Sequence, residues 1–140
     1  MSNEPEHLGV FIIVIKDGRV LLGKRKNAYK SGLYGCPGGR LELTESLIDS
    51  AKRELLEETD LKSINLEYFG VIRELQAGYN FIHFGFVCHS YDGEIKVSEP
   101  DKCESWEFFN IDQIPENTLP AHKASIELLK SKLPTFIDLI

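Results

Sequence analysis

Three carboxylates are crowded on one predicted helix near the middle of the chain. The segment 46–60 contains Glu54, Glu57 and Glu58. At about 100° per residue, these positions fall within about one third of the helix circumference. Crowded carboxylates repel one another and raise one another's pKa, so such a face is costly unless a cation lies among them. The pattern indicates either a solvated acidic surface or a site for a hard divalent cation, and oxygen ligands favour Mg²⁺ or Mn²⁺ over Zn²⁺.

Glycines and basic residues precede this helix. Gly38 and Gly39 end a glycine-rich loop over 27–39, in which the backbone must adopt conformations or close approaches that a Cβ would forbid. A basic stretch comes before the glycines and contains Lys24, Arg25, Lys26 and Lys30. Cations, backbone groups and carboxylates therefore lie close along the chain, and this combination suits phosphate chemistry with a divalent cation.

The elements that position these residues are predicted from apolar periodicity. Residues 9–16 (GVFIIVIK) are typical of a strand buried on both faces, and Asp17-Gly18 predicts a turn into a return strand over 20–22. Ser46 is the expected N-cap of the acidic helix, which should stop near residues 59–60. Its apolar positions adjoin the acidic sector and predict its buried face: Ile48, Ala51 and Leu55.

The second half of the chain predicts further strands and one more helix. Strands are expected over 66–75, 80–90, 94–97 and 105–109, with turn signals at 77–78 and 92–93. Pro120 should begin a helix over 121–133, whose apolar stripe contains Ile126, Leu129 and Leu133. With no repeat, low-complexity tract or linker, the chain is expected to form one α/β domain over residues 1–140.

Composition and charge exclude some classes of protein. The 140 residues carry 22 acidic and 16 basic side chains, a net charge of −6 that argues against binding duplex nucleic acid. No apolar run approaches the roughly 20 residues of a membrane span. The polar, acidic start differs from a targeting signal, and the three cysteines, Cys36, Cys88 and Cys103, lack a metal-type spacing. The chain is therefore expected to be a reduced, cytoplasmic protein.

The segment from Gly39 to Leu61 resembles the Nudix box, GX5EX7REUXEEXGU, of the Nudix hydrolases. The matching polar and glycine positions are Gly39, Glu45, Arg53, Glu54, Glu57 and Glu58. Asp60 departs from the pattern, which has glycine there to end the helix, and Asp tolerates a left-handed backbone better than most residues. The downstream stretches 99–100 and 104–107 are similar to MutT homologues that hydrolyse nucleoside triphosphates.

The resemblance implies a Nudix fold, an α/β/α sandwich around a mixed β-sheet, and hydrolysis of a nucleoside triphosphate to a monophosphate and pyrophosphate. It implies Mg²⁺ as cofactor, with Mn²⁺ as a possible substitute. The implied metal ligands are Gly39, Glu54, Glu57 and Glu58. Glu54 is the first candidate for the general base and Glu57 the second. In the family pattern Glu45 orients Arg53 or a coordinated water, and Arg53 holds the carboxylates in place.

The implied substrate-binding residues are Arg25, Lys24, Gly38 and His83. Arginine offers bidentate contact to phosphate, although an exposed basic strand end would look the same in the sequence. His83 could line a base pocket or be a satisfied core histidine. Trp106 could stack on a base, but its aromatic neighbours favour a core position. A further metal ligand could come from Glu99 or Glu104, and the sequence does not choose between them.

Other functions remain open at this point. One alternative is hydrolysis of a nucleotide sugar, because Gly23-Lys24-Arg25 followed by Asn27 also resembles GDP-mannose hydrolases. Another nucleoside diphosphate-linked compound would require the same chemistry. A non-catalytic module that senses a nucleotide or binds a protein would usually lose the carboxylates that are retained here. An isopentenyl diphosphate isomerase would need a catalytic cysteine, for which Cys36 is the loop candidate. A homodimer is expected only because the resemblance to the family implies it.

Overall fold

The computed structural model describes residues 7–26, 31–76, 78–131 and 135–139. These residues form eight strands and two helices. In chain order the elements are β1 (His7–Lys16), β2 (Arg19–Arg25), β3 (Tyr34–Gly35), β4 (Gly38–Arg40), α1 (Leu47–Thr59), β5 (Lys62–Gln76), β6 (Tyr79–Asp92), β7 (Cys103–Asn110), α2 (Pro120–Ser131) and β8 (Thr135–Leu139). Neither helix has the length and apolar character needed to cross a bilayer.

The strands form a mixed sheet with β1 near its centre. The main order is β3-β2-β1-β6-β5-β8, while β4 pairs with β1 and β7 pairs with β2. The β1–β6 and β5–β8 pairs are parallel, and the other pairs are antiparallel. The predicted turn at Asp17-Gly18 is confirmed, since both residues have positive φ, 52° and 71°.

The two faces of β1 are covered by different helices because successive side chains in a strand point to opposite sides. On one face the buried cluster contains Val10, Ile12 and Val14 of β1 with Ala51 and Leu55 of α1. On the other it contains Phe11 and Ile13 of β1 with Ala121 and Ile126 of α2. The prediction of a strand buried on both faces is confirmed for residues 9–14, while Ile15 is half-buried and Lys16 is exposed. A helix–sheet–helix sandwich results.

Helix α1 begins and ends at the residues that the sequence predicts. The Ser46 side chain accepts a hydrogen bond from the Asp49 backbone N–H at 3.1 Å, which satisfies a free donor of the first turn. Asp60 is left-handed, with φ 64°, and its N–H donates to the Leu56 carbonyl at 3.0 Å. Aspartate thus occupies the helix-ending conformation that usually takes glycine.

The predicted strand over 94–97 is wrong. These residues are irregular, because their backbone donors serve the end of α1 instead of a strand partner. Lys96 N–H donates to the Thr59 carbonyl at 2.9 Å, and Ser98 N–H donates to the Glu58 carbonyl at 3.3 Å. The segment therefore holds the last turn of α1 next to the residues that follow it.

Other boundaries also differ from expectation. The glycine-rich loop contains the short strands β3 and β4, and β8 follows α2 as a parallel partner of β5. The strands predicted over 66–75, 80–90 and 105–109 are confirmed, and each extends further. Ala77, Leu133 and Lys30, which entered the predictions above, lie outside the described residues.

Candidate active site

Two cavities adjoin at β4 and share Arg25 at the end of β2. The smaller one, about 380 Å³, is called the acidic cleft here because α1 and the 99–103 segment supply Glu54, Glu57, Glu58 and Glu99 to its wall. The larger one, about 700 Å³, is called the aromatic cavity and is lined by rings that include Phe11, Tyr79, Phe81, His83 and His122. Both cavities share a boundary formed by Arg25, Cys36, Gly38, Gly39 and Arg40.

Arg53 connects the carboxylates of α1. Its Nη1 donates to Glu54 at 2.9 Å and to Glu57 at 3.1 Å. Its Nη2 donates to the Arg40 carbonyl at 3.0 Å, which ties the helix to β4. A planar guanidinium with fixed donor directions can hold several partners at once, and lysine could not reproduce this geometry.

Glu45 holds the opposite edge of the same guanidinium. Arg53 donates to it from Nε at 2.9 Å and from Nη2 at 2.6 Å, a bidentate pair. The backbone N–H of Glu42 donates to Glu45 at 3.0 Å. These bonds, with the Arg53 pair dominant, lower the pKa of Glu45 to about 2, and the same pair raises the pKa of Arg53. Glu45 is therefore ionised whenever Arg53 is in place.

Glu58 is a half-buried carboxylate in the wall of the acidic cleft. Burial, reinforced by the charges of Glu54 and Glu99, raises the pKa of Glu58 to about 8, although the Gly38 N–H, 3.3 Å away, and Arg25 oppose the shift. Burial is also the main cause of the raised pKa of Glu54. This is the electrostatic condition of a site that gains stability from a bound cation.

Gly39 makes room for the Glu54 carboxylate. A Cβ on Gly39 would overlap the carboxyl group of Glu54, and one on Gly38 would overlap the Val10 carbonyl oxygen. At these two positions glycine is required by close approach, since neither has a positive φ. The sequence-based interpretation of the loop therefore holds for 38–39, where β4 passes between β1 and α1.

The residues of the acidic cleft fit a hard divalent cation in donor chemistry. All the acidic donors are carboxylate oxygens, which Mg²⁺ and Mn²⁺ prefer. Within the described part of the chain, no three acidic, histidine or cysteine side chains yet converge as a ligand set. The cause is visible in the contacts, because Arg53 draws Glu54 and Glu57 toward itself while Glu58 accepts from Gly38.

Glu99 and Glu104, the two candidates for a further metal ligand, lie in different places. Glu99 lines the acidic cleft, and its Oε2 lies 3.4 Å from Lys102 Nζ. Glu104 lies on β7, where its Oε2 is 4.0 Å from Lys24 Nζ, and more than half of its side chain is exposed. The structure thus places Glu99, and not Glu104, with the carboxylates of α1. Lys24 lines neither cavity, whereas Arg25 lines both.

Trp106 forms part of the wall of the acidic cleft. It packs on the α1 side of the sheet core, and its indole N–H donates to the Glu58 carbonyl at 3.2 Å. Its ring also fills the space that a side chain at position 23 would occupy, since a Cβ on Gly23 would lie 2.6 Å from Trp106 carbons. Trp106 is therefore only partly buried: it packs against the core, lines the acidic cleft and holds the last turn of α1.

His83 faces the aromatic cavity from β6. Its ring is parallel to that of Phe81, with centroids 5.9 Å apart and 4° between the planes. Phe81 in turn stacks on His7, with centroids 4.7 Å apart. Burial lowers the pKa of His83 to about 4, so the ring is neutral near pH 7. His83 is half-buried and lines the cavity, so it is not a fully buried core histidine.

Cys36 lies where the two cavities meet, and its hydrogen-bond partner His122 lines the aromatic cavity. The Cys36 backbone N–H donates to His122 Nδ1 at 2.9 Å, so the neutral ring carries its proton on Nε2. Burial lowers the pKa of His122 to about 3 and raises the pKa of the Cys36 thiol to about 12. A thiol this hard to ionise is a poor catalytic group, which counts against the isomerase alternative.

Sequence reasoning found the residues of α1 and β4 but missed most of the aromatic cavity. His7, Arg40, Glu74, Tyr79 and His122 were not singled out as site residues, although all line this cavity. They come from five separate elements or loops, and no local spacing connects them. Only the pairing of β1 with β6 and of β6 with β5 brings His7 and Glu74 to either side of Phe81.

Comparison with known proteins gives a consistent result. The NUDIX domain model matches residues 5–130. The oxidized purine nucleoside triphosphate hydrolase of Danio rerio is 34% identical over 107 residues, covering 74% of this chain and 66% of that protein. The ADP-ribose pyrophosphatase of Methanocaldococcus jannaschii is 32% identical over 108 residues, covering 74% of this chain and 62% of that protein. Both matches therefore span slightly less than two thirds of the relative.

A solved structure agrees over almost its whole length. The crystal structure of a MutT NUDIX hydrolase from Burkholderia pseudomallei superposes with a TM-score of 0.85 at 29% identity. The match covers 89% of this chain and 98% of that one. The predicted arrangement of a mixed sheet between helices is confirmed by this superposition.

Proposed function

The chain belongs to the MutT-like Nudix hydrolases, and from that premise we propose that it hydrolyses a nucleoside triphosphate to a monophosphate and pyrophosphate, with Mg²⁺ as cofactor. Mn²⁺ is the proposed substitute. The observation that carries this proposal is the direct contact between a cleft of carboxylates and a cavity of stacked rings. A nucleotide has the same two parts: a polyphosphate that binds a cation held by carboxylates, and a planar base that stacks on rings. We place the two parts of one nucleotide on either side of the shared boundary.

We assign the cation to Glu54, Glu57 and Glu58, with the Gly39 carbonyl as a further ligand. When bound, Mg²⁺ supplies charge neutralisation to the phosphates and lowers the pKa of a water that it coordinates. The buried carboxylates support this assignment because their raised pKa values favour a compensating positive charge. Glu99 lies close enough to Glu54 and Glu58 to perturb both electrostatically, and it is the proposed fourth acidic participant.

The remaining roles follow from position. Glu54 is the proposed acceptor of the proton of the attacking water, and Glu57 is the second candidate. Arg53 keeps both carboxylates at fixed places on α1, and Glu45 fixes the orientation of Arg53. Arg25 and Gly38, on the boundary between the cavities, are placed to contact phosphate. His83 contacts the base, and Lys24 is assigned to its ion pair with Glu104.

The test is a hydrolysis panel with separated products. Purified protein is incubated with Mg²⁺, with Mn²⁺ or with a chelator, and with nucleoside triphosphates, ADP-ribose, nucleotide sugars and dinucleoside polyphosphates. Cation-dependent release of pyrophosphate from a triphosphate, with kcat/KM above about 10⁴ M⁻¹s⁻¹, is the expected result. Efficient cleavage of ADP-ribose or a nucleotide sugar alone would replace the proposed substrate class. Nucleotide binding without turnover would favour the sensing module.

Two coarser expectations accompany the proposal. A homodimer is tested by light scattering, and a species of 15.9 kDa alone would contradict it. A reducing, cytoplasmic location is supported by the three cysteines, which are all free in the structure.

A further inference from the structure

Lys102 is a cation in the wall of the acidic cleft to which the proposed hydrolysis gives no task. Three basic side chains line this cleft in the part of the chain that the structure describes, and two of them, Arg25 and Arg40, also line the aromatic cavity. Lys102 lines only the acidic cleft and lies three residues after Glu99. Its positive charge therefore shares the cleft with the carboxylates and with the phosphates that the proposed function places there.

The backbone fixes where the Lys102 side chain begins. The N–H groups of Lys102 and Cys103 both donate to the Glu99 carbonyl, at 2.9 and 3.1 Å, and close a tight turn. The Lys102 carbonyl accepts from the Lys26 N–H at 2.9 Å. Cys103 pairs with Arg25 in the register of β2 and β7. The turn is therefore tied to the strand end that carries Arg25, and the two cations start from neighbouring positions.

The Lys102 ammonium is paired with the carboxylate proposed as the fourth acidic participant. Its Nζ lies 3.4 Å from Glu99 Oε2, and the Lys102 side chain is 65% exposed, whereas that of Glu99 is 29% exposed. The charge of Glu99 is the main cause that raises the pKa of Lys102, and Glu58 adds to the shift. An ion pair with so exposed a partner contributes little to stability, so Lys102 can exchange partners at little cost.

The carboxylate of Glu99 cannot serve the Lys102 ammonium and a divalent cation equally well. If Glu99 takes part in cation binding, the ammonium loses its partner and is repelled by the added positive charge. The phosphate chain of a nucleotide brings the negative charge that can replace that partner. Lysine suits such an exchange, because its ammonium binds phosphate as a point charge on a flexible stem, without the fixed fork of arginine.

We propose that Lys102 changes partner: it neutralises Glu99 while the cleft holds no cation, and it contacts the phosphate chain once Glu99 participates in cation binding. The inference rests on the proposed function, which places both the cation and the phosphates in this cleft. It gives Lys102 two effects of opposite sign. Lys102 weakens the binding of a cation to the free protein and strengthens the binding of phosphate to the cation-loaded protein, and a purely structural lysine would not produce this combination.

The first measurement is the binding of Mn²⁺ alone, without nucleotide, followed by electron paramagnetic resonance. Lys102→Gln should bind Mn²⁺ about 2- to 5-fold more tightly than the wild type, because a competing charge is gone. Lys96→Gln is the matched control and should keep the wild-type affinity. It removes the same charge from an ion pair of the same length, since Lys96 Nζ lies 3.4 Å from Asp60, and the Lys96 side chain is 69% exposed and lines neither cavity.

The second measurement is the binding of inorganic pyrophosphate in the presence of Mg²⁺, by calorimetry. Lys102→Gln should weaken this binding about 10-fold, the loss expected for one charged hydrogen bond. KM for the preferred triphosphate should rise by a similar factor. Lys102→Arg keeps the charge and should stay within about threefold of the wild type in both binding measurements. Lys96→Gln should again match the wild type.

The two opposite shifts are both required. Failure of the wild type to bind Mn²⁺, unchanged or weaker Mn²⁺ binding in Lys102→Gln, unchanged pyrophosphate binding in that variant, or equal effects in Lys96→Gln would overturn the inference. Neither binding measurement needs turnover. A protein that shows both shifts but hydrolyses no triphosphate would therefore support the role of Lys102 and refute the proposed reaction.

Discussion

Arg53 and Glu45 form a bidentate pair, with Nε 2.9 Å from one carboxylate oxygen and Nη2 2.6 Å from the other. This pair fixes the plane of the guanidinium, and the remaining terminal nitrogen donates to both Glu54 and Glu57. The loop before α1 thereby determines where two carboxylates of the helix stand. Residues that act through another group in this way usually affect activity by about 10- to 100-fold.

Glu45→Gln should therefore lower kcat about 10- to 100-fold while leaving the fold intact. The amide cannot accept two charge-assisted bonds from Arg53, so the guanidinium loses its fixed orientation. Steady-state kinetics on the preferred substrate provides the measurement. Glu42→Gln is the matched control, because Glu42 lies 3.8 Å from Arg53 and its side chain is mostly exposed. Equal kcat values for the two variants would show that the pair does not position the site.

Gly39→Ala should reduce activity more than it reduces stability. Its Cβ would overlap the Glu54 carboxylate, the end of a side chain that can rotate away, so the carboxylate moves and the fold survives. Gly38→Ala should do the reverse and destabilise the protein by several kcal/mol, about the cost of overpacking, because its Cβ meets the rigid Val10 backbone. Urea unfolding and kinetics on both variants separate these outcomes. Equal losses of stability would contradict the prediction.

The contribution of His122 to stability should fall as the pH drops below about 6.5. Burial lowers the pKa of His122 in the folded protein to about 3, whereas the unfolded chain titrates near 6.5. The unfolded state therefore binds more protons in this window, and the contribution present above pH 6.5 is lost as the pH falls toward 3. Between about pH 7.5 and pH 5 the loss from this group is of the order of 2 kcal/mol.

Urea unfolding of the wild type and of His122→Asn at the two pH values measures this contribution. Glu58, with a pKa raised to about 8, has the opposite sign and stabilises less as the pH rises from about 4.5 toward 8. That contribution is common to both proteins, so the difference between them reports on His122. An identical pH dependence in the variant would show that the ring is not buried in its neutral form.

Asp60→Gly should stabilise the protein by about 0.5–1 kcal/mol, because glycine adopts the left-handed conformation at φ 64° without strain. The ion pair that it removes, Lys96 Nζ to Asp60 at 3.4 Å, is largely exposed and contributes little. Asp60→Ala, which removes the same pair without adding conformational freedom, should be destabilising. Thermal unfolding of both variants checks the sign, and a less stable Asp60→Gly would refute the role of backbone strain.

Local chemistry explains which features were predictable from the sequence. The caps at Ser46 and Asp60 and the turn at Asp17 depend on neighbouring residues, and the structure confirms all three. The strand predicted over 94–97 failed because its donors at Lys96 and Ser98 bond to the end of α1, a distant partner that no local pattern reveals. Strand β8 was missed for the same reason, since it exists through its pairing with β5.

The candidate site also contains residues that the local sequence predicts and residues that only the tertiary fold brings together. Glu54, Glu57 and Glu58 lie within five residues on one helix, so their spacing alone indicated a cluster. The choice of Glu99 over Glu104 depends on the path of the irregular segment before β7. Glu74 and His7 are separated by 67 positions in the numbering, and only the register across β5, β6 and β1 brings them into one row.

The most direct test of the account is the Mg²⁺-dependent release of pyrophosphate by wild-type protein and by Glu57→Gln, with Glu67→Gln as the control. Glu57 lines the acidic cleft and accepts from Arg53 at 3.1 Å, while Glu67 is exposed on β5. The account predicts that Glu57→Gln melts at the wild-type temperature and loses at least about 100-fold in kcat, while the control is unchanged. A folded Glu57→Gln protein that turns over at the wild-type rate would contradict it.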